Sequence, residues 1–545
     1  MAIPDREASV IKTTGSRSLR NSWFRLVILL MPVSLALIIY PDAITQDGPA
    51  HLASGKIANE IIAGKPVVNS VYHLQLKPLP NWAGQATAML ALRLLPNQSA
   101  NCLLNLLGLW LPALGLNWLI QNIGQKTSYD TWARPLWISL SAMNVVWIFG
   151  FTSFLIGLSF GWIMLGLVWR AFESKSKSLF VLLTSGWCLL FLSHLVAYIL
   201  AGIIFGVLLA SHFLIHDTKT GLKLAATTIP SLGLLGNYRR MTGETNLELI
   251  WEHLDWSNLA SLGNWAKQIG WIDPLSLASK RWLPFLEKET AWAIFFQPIF
   301  WTGIAASLIL CRLLREVIRG HTTTHFPSLM ALAAISLIGI LGPDTVGKEQ
   351  GHYLPQRVCL MAMGLFCLTW PSRLSPLITQ TLILSWFMQV FHCIYFIPQS
   401  ARMAGEVRMI SREIRTRSKV IAFFDAKPWP FRANPQLHRD SLVVFAADDI
   451  ASNNLYEAGH SYFPLQFKRQ PEGLEPYRLE RVSLMRSNAD LSMRREEIIL
   501  TLKSAMTYND VVVILGDPES DFCKLMNDII KELNVDSSKL QVIRQ

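Results

Sequence analysis

Gln46-Asp47-Gly48-Pro49-Ala50-His51 follows directly on the first long apolar run, Trp23 to Tyr40. Its reading decides the fold, because it marks where the chain first leaves a bilayer. Before it lie a basic tail and one span's worth of apolar residues. After it come more apolar runs and then a polar segment. An acidic residue and an imidazole sit four positions apart at that exit. Gly48-Pro49 sets a turn, and Pro49 suits the first residue of a helix. Leu52, Ile57, Ile61 and Ile62, set against Lys56 and Glu60, predict an amphipathic helix over 49–62 lying on the membrane surface. Asp47 has two compatible readings: the N-cap of that helix, or a carboxylate available for chemistry at the membrane edge.

Composition supports the membrane reading. The chain is 51% hydrophobic and 16% charged, with 20 tryptophans, against about 25% charged residues in soluble domains. Apolar runs recur from Trp23 to Phe396, each near the roughly 20 residues that a helical span needs. The first run is too long for a signal peptide and lacks a small-residue cleavage site. The net charge of +11 is spread over many loops, so nucleic acid is not implied and the charge mainly sets orientation. Of the seven cysteines, only Cys523 stands in the polar tail. Their spacing gives neither a disulfide framework nor a metal site.

The basic tail, 1–22, predicts a cytoplasmic N-terminus. The connections that follow fall into two alternating sets, one rich in Lys and Arg and one poor in them or long. If 82–95 does not cross, the basic set is cytoplasmic. That choice predicts about 11 spans: 23–40, 100–122, 133–149, 151–170, 179–193, 195–215, 221–236, 291–313, 326–342, 357–371 and 374–396. An odd number places the C-terminal segment outside, although Arg402, Arg408, Arg412, Arg415, Arg417 and Lys419 favour the cytoplasm. It also gathers the polar loops on one face: Asp47 and His51, the 150–153 turn, His194, the 237–290 loop and the 343–357 loop.

These loops supply the candidate binding residues. His194 lies between two apolar runs, where it is either a wet turn residue or a site at the rim. Tyr238 and Arg239, with Arg240, open a tryptophan-rich loop and suit either a phosphate or lipid headgroups. The tryptophans read as an interfacial belt or as a platform for sugar rings or a lipid tail. Lys348, His352 and Arg357 stand in or at the end of a glycine-rich loop. Arg357 suits bidentate phosphate binding or snorkelling to headgroups.

From about 400 the composition turns polar. Glu406 to Phe423 reads as a helix, 442–446 and 511–515 as buried strands, and Asp521 to Leu533 as a helix. The fold class is therefore an α-helical polytopic membrane protein over 23–399 with a small extracytoplasmic α/β domain over 400–545. Asp448-Asp449 reads as a solvated pair or a metal site.

The order of parts resembles the GT-C superfamily of integral-membrane glycosyltransferases, over perhaps residues 20–400. Asp47 matches the acidic residue of the family's first outer loop. Lys77-Pro78-Leu79-Pro80-Asn81-Trp82 is similar to its Lys-Pro step. Gly150-Phe151 falls where its second outer loop would be, and Arg357 resembles the arginine near its lipid-phosphate site. Tyr456-Glu457-Ala458 before Phe463-Pro464 also looks like a feature of many bacterial membrane proteins of this type. The resemblance implies a polyprenyl-phosphate-linked sugar donor, membrane lipid around it, and location in the plasma (inner) membrane. It implies Asp47 as general base and Arg357, with Lys348, on the leaving phosphate. His51 would position Asp47 or a metal. The chain has one Asp where several members carry a pair, and the second loop lacks an acidic residue, so a divalent metal stays open and no other cofactor is implied. Two other classes fit the pattern of spans: a transporter or flippase of lipid-linked glycans, and a catalytically silent envelope scaffold.

Overall fold

A computed structural model describes residues 6–123, 132–173, 176–215, 218–242, 248–278, 291–319, 326–346, 353–370, 374–411, 414, 416–426, 429–483, 495–517, 519–533 and 540–544. Lys348 and His352 lie outside these residues. Contacts divide the chain into two compact units: 1–36, 107–147 and 154–395 form the first, and 37–106, 148–153 and 396–545 the second.

The first unit is helical. Across the whole chain, five helices among the described residues are long and apolar enough to cross a membrane, and shorter apolar helices such as Lys177–Ser193 and Phe326–Leu341 accompany them. Two of the predicted spans are broken. The 133–149 run forms Ala133–Ala142 and then Val145–Phe149. Between them the Asn144 amide donates to the Ser141 and Ala142 carbonyls, and its oxygen accepts from the Trp147 amide. A side chain that satisfies both helix ends in this way stabilises a break that hydropathy does not register. The 221–236 run divides into Thr218–Ala226 and Ile229–Thr242.

The second unit is built on a parallel four-stranded sheet. Its order is Ala451–Ser452, Lys419–Phe424, Val511–Gly516, Leu540–Arg544. The two central strands pair from Val420↔Val511 to Phe424↔Leu515. Both are covered on each face, which is why they read as continuous apolar runs. Ile421, Phe423, Val512 and Ile514 pack with Leu502, Met526 and Ile529. Val420, Ala422, Phe424 and Val513 pack on the other side with Ile44, Ala404, Val407, Leu442 and Val443.

This arrangement corrects three expectations. The 442–446 run is not a strand but part of a 3-10 segment, Arg439–Phe445. The 419–424 run, expected to end a helix, takes the central strand position, and the preceding helix stops at Ser411. Short apolar runs carry no periodicity that separates strand from buried turn. Finally, the helix Gly48–Ile62 turns its apolar face to protein, not outward to a bilayer surface, with Ile62 left exposed at its end. Ala50, Ala53 and Ile57 pack with Val444, Leu455 and Ala458, and Leu52 packs with Ala88 and Ala91 of the Trp82–Leu94 helix. Its polar side is also occupied by protein. Lys56 pairs with Glu60 at 3.2 Å and donates to the Val444 and Ala447 carbonyls. The Trp82–Leu94 helix has 13 residues, about 20 Å at 1.5 Å per residue, short of a bilayer core.

Candidate functional site

The turn that carries Asp47 is held by the 148–153 segment. The Gln46 and Asp47 amides donate to the Ile148 and Phe149 carbonyls at 3.0 and 2.9 Å. Gly150 has φ +84, and a Cβ there would stand 2.4 Å from Thr45 Oγ1 and 2.7 Å from the Gly48 nitrogen. Only glycine allows this conformation and this approach.

Asp47 occupies the N-cap position of Gly48–Ile62, yet its side chain makes no capping hydrogen bond. Thr45 Oγ1 accepts from the Gly48 amide instead, at 3.2 Å. The Asp47 carboxylate is turned to the imidazole of His438, 3.6 Å away, and keeps 20% of its exposure. Burial pushes its carboxyl above the ordinary value, while His438 and His51 pull it partly back.

His51, one turn along the helix, forms an ion pair with Glu457. Glu457 also accepts from the Ser54 hydroxyl. Burial draws the His51 pKa down, but Glu457, Asp47 and the Gly150 carbonyl together raise it above its ordinary value. An imidazole facing a carboxylate and a carbonyl acts as donor to both, which is the imidazolium form.

The partners of this turn follow the carboxyl ends of the first two strands, where open α/β sheets bind ligands. His438 and Asp440 come after the 419–424 strand. Tyr456 and Glu457 come after the 451–452 strand. Asn454 binds both the amide and carbonyl of Ala422, and its amide donates to Asp440 at 2.7 Å. Burial pushes the Asp440 carboxyl up to about 7, against the opposing pull of His438. Glu480 is raised as well, by burial first, and feels both His438 and Asp47. Among the described residues, no group of three or more His, Cys, Asp or Glu is spaced to hold a metal ion.

The other expected site residues lie in the first unit. Arg357 is buried, so it does not snorkel to headgroups. Its guanidinium lies 5.5 Å from the centroid of the Phe154 ring. His194 meets the same ring edge-on at 5.4 Å, and it is buried rather than wet. These two candidates therefore share one aromatic neighbour. Tyr238 packs against Phe191 instead, and Arg239 is exposed. Of the acidic pair, Asp448 is exposed and faces Lys65 at 3.4 Å. Asp449 is buried, accepting from the Val67 and Val68 amides. Only Asp448 is solvated, so the two do not act as a pair.

Sequence reading missed His438 and Glu480, and noted Glu457 only within Tyr456-Glu457-Ala458, with no site role. The available signal was Leu437-His438-Arg439-Asp440, three polar side chains immediately before an apolar run in an α/β segment. The molecule so described is a helical membrane protein with an acid–histidine site in a unit that includes a parallel α/β sheet. No known protein-family model matches the chain, and no curated protein sequence does.

Proposed function

We propose that the protein is a membrane glycosyltransferase that moves a sugar from a polyprenyl-phosphate donor to an acceptor at the outer face of the plasma membrane. The observation that supports this most is the orientation of Asp47. It stands where an aspartate ordinarily caps a helix, and that task is done by Thr45. Its carboxylate is left part-exposed beside His438.

In this reaction the acceptor hydroxyl gives its proton to the Asp47 carboxylate. The acceptor oxygen forms a bond to the anomeric carbon, and the bond from that carbon to the phosphate oxygen breaks. Its electron pair leaves with the polyprenyl phosphate. A carboxylate at its ordinary pKa is a weak base, and desolvation strengthens it. His51, fixed by Glu457 and Gly150, supplies a nearby positive charge that offsets part of the burial cost of the ionised Asp47 carboxylate. Arg357 keeps only the role that the resemblance implies.

The test is release of polyprenyl phosphate by the purified full-length chain, given a panel of polyprenyl-phosphate sugars and a mixed acceptor pool. Wild type should turn over at least one donor. Asp47→Asn should lose about 10²- to 10⁴-fold at unchanged melting temperature. Equal turnover by Asp47→Asn, or no turnover of any donor, overturns the proposal.

A further inference from the structure

One feature of the second unit is not used by the base chemistry. A run of aromatic rings starts at His438 and returns to His51, the two histidines on either side of Asp47. His438 lies 5.2 Å from Tyr456, and Tyr456 lies 4.3 Å from His460. His460 stacks on Tyr462 at 5.2 Å, Tyr462 meets Phe463 at 4.8 Å, and Phe463 faces His51 at 6.4 Å. Tyr477 stands across this run, edge-on to Tyr456 and hydroxyl to hydroxyl with it at 2.9 Å.

This is not an ordinary buried aromatic cluster. Tyr477 is 45% exposed, Tyr456, Tyr462 and Phe463 are half-buried, and the three histidines are buried. The rings carry polar edges, hydroxyls and ring nitrogens. Carboxylates stand close by: Asp47 at His438, Glu457 at His51, and Glu480 within electrostatic reach of His438 and Asp47. Flat faces with polar rims fit the CH face of a pyranose. Carboxylates and imidazoles supply acceptors and donors for its hydroxyls. The excess of carboxylates over cations disfavours a ligand that carries negative charge.

We infer that the ring wall of Tyr456, Tyr462 and Tyr477, backed by the buried His460, is a binding subsite for a pyranose without carboxylate or phosphate groups, held with a hydroxyl toward Asp47. As an acceptor subsite it rests on the glycosyltransferase reading. As a sugar-binding site it stands without that reading.

Saturation-transfer NMR on the full-length chain in detergent tests it, with no donor present. The probes are methyl glucoside, methyl glucosaminide and methyl glucuronoside. The first two should take saturation on their ring protons, and the glucuronoside at least about fivefold less. Tyr477→Ala should remove most of the signal. Tyr477 is exposed, so its truncation opens no core cavity. Tyr462→Ala gives a second, independent variant. Absence of saturation for all three sugars overturns the inference. So does equal saturation of the glucuronoside, or an unchanged signal in both tyrosine variants of unaltered melting temperature. Asp47→Asn should retain sugar binding. Binding with no turnover of any donor would leave this subsite standing and sink the glycosyltransferase reading. Turnover with acceptor KM unchanged in both tyrosine variants would do the reverse.

Discussion

Asp47 and Asp449 both sit in tight turns beside the start of a helix in the second unit, and they are used in opposite ways. Asp449 has φ +59, a left-handed conformation that Asp tolerates better than most residues. One of its oxygens accepts from the Val67 and Val68 amides at 2.9 and 3.0 Å, closing the start of the Pro66–Val71 helix. The Asp47 carboxylate makes no capping bond to its own helix, whose first amide is taken by Thr45. One carboxylate is spent on backbone donors and is 1% exposed as a residue. The other keeps a fifth of its side-chain exposure and faces a histidine. A buried carboxylate that closes a helix is explained by folding alone. One that is desolvated without backbone donors costs stability, which is the cost expected of a carboxylate kept for the proposed chemistry.

The comparison can be broken at the turn that makes it possible. Gly150→Ala should have the largest effect, because its Cβ would collide with Thr45 and Gly48. Displacing Asp47 by about 1 Å should lower transfer by roughly 10²-fold, read as donor turnover per folded protein. Activity near wild type would show that the turn does not set the geometry.

Asp440 sharpens the contrast from another side, since it too is buried with few partners. Its folded-state pKa of about 7 exceeds the ordinary 3.8. The folded state therefore holds a proton that the unfolded chain releases. This stability is present below the ordinary pKa and is lost as pH rises through about 7. Asp440→Asn removes the titration. The melting temperature of wild type relative to this variant should fall between pH 5 and pH 8, by up to a few kcal/mol in stability. A difference that does not change with pH would contradict the assignment.

Asp449→Ala should give the smallest change, a loss of about 1–2 kcal/mol from two capping hydrogen bonds. Thermal melts measure it, and activity per folded molecule should stay within twofold. Asp47 and Asp449 would then separate cleanly, one in rate and the other in stability.

The first loop was legible in the sequence, because Asp47, His51 and the helix over 49–62 stand within one short stretch. The 150–153 turn was visible as a polar break. Gly150's role was not, since its steric need arises only when Thr45 and Gly48 lie against it. His438 and Glu457 are about 400 positions from Asp47, and no local pattern joins them. The strands were half legible: 511–515 was recognised, while 419–424 and 442–446 exchanged roles. Both are short apolar runs, and only sheet pairing decides between them. The capping bond expected of Asp47 is not made: the N2 position is Pro49, which has no N–H, and Thr45 takes the Gly48 amide.

The central claim is that Asp47 acts as a desolvated base. The most direct measurement is the pH dependence of kcat/KM for sugar transfer in wild type and Asp47→Asn. Burial holds the Asp47 carboxyl above 3.8, and only its ionised form accepts the proton. The wild-type rate should fall on the acid side through a pKa above the ordinary carboxylate range of about 4. The residual rate of Asp47→Asn should show no such limb. A wild-type rate that stays flat down to pH 4, or the same acid limb in Asp47→Asn, would contradict the account.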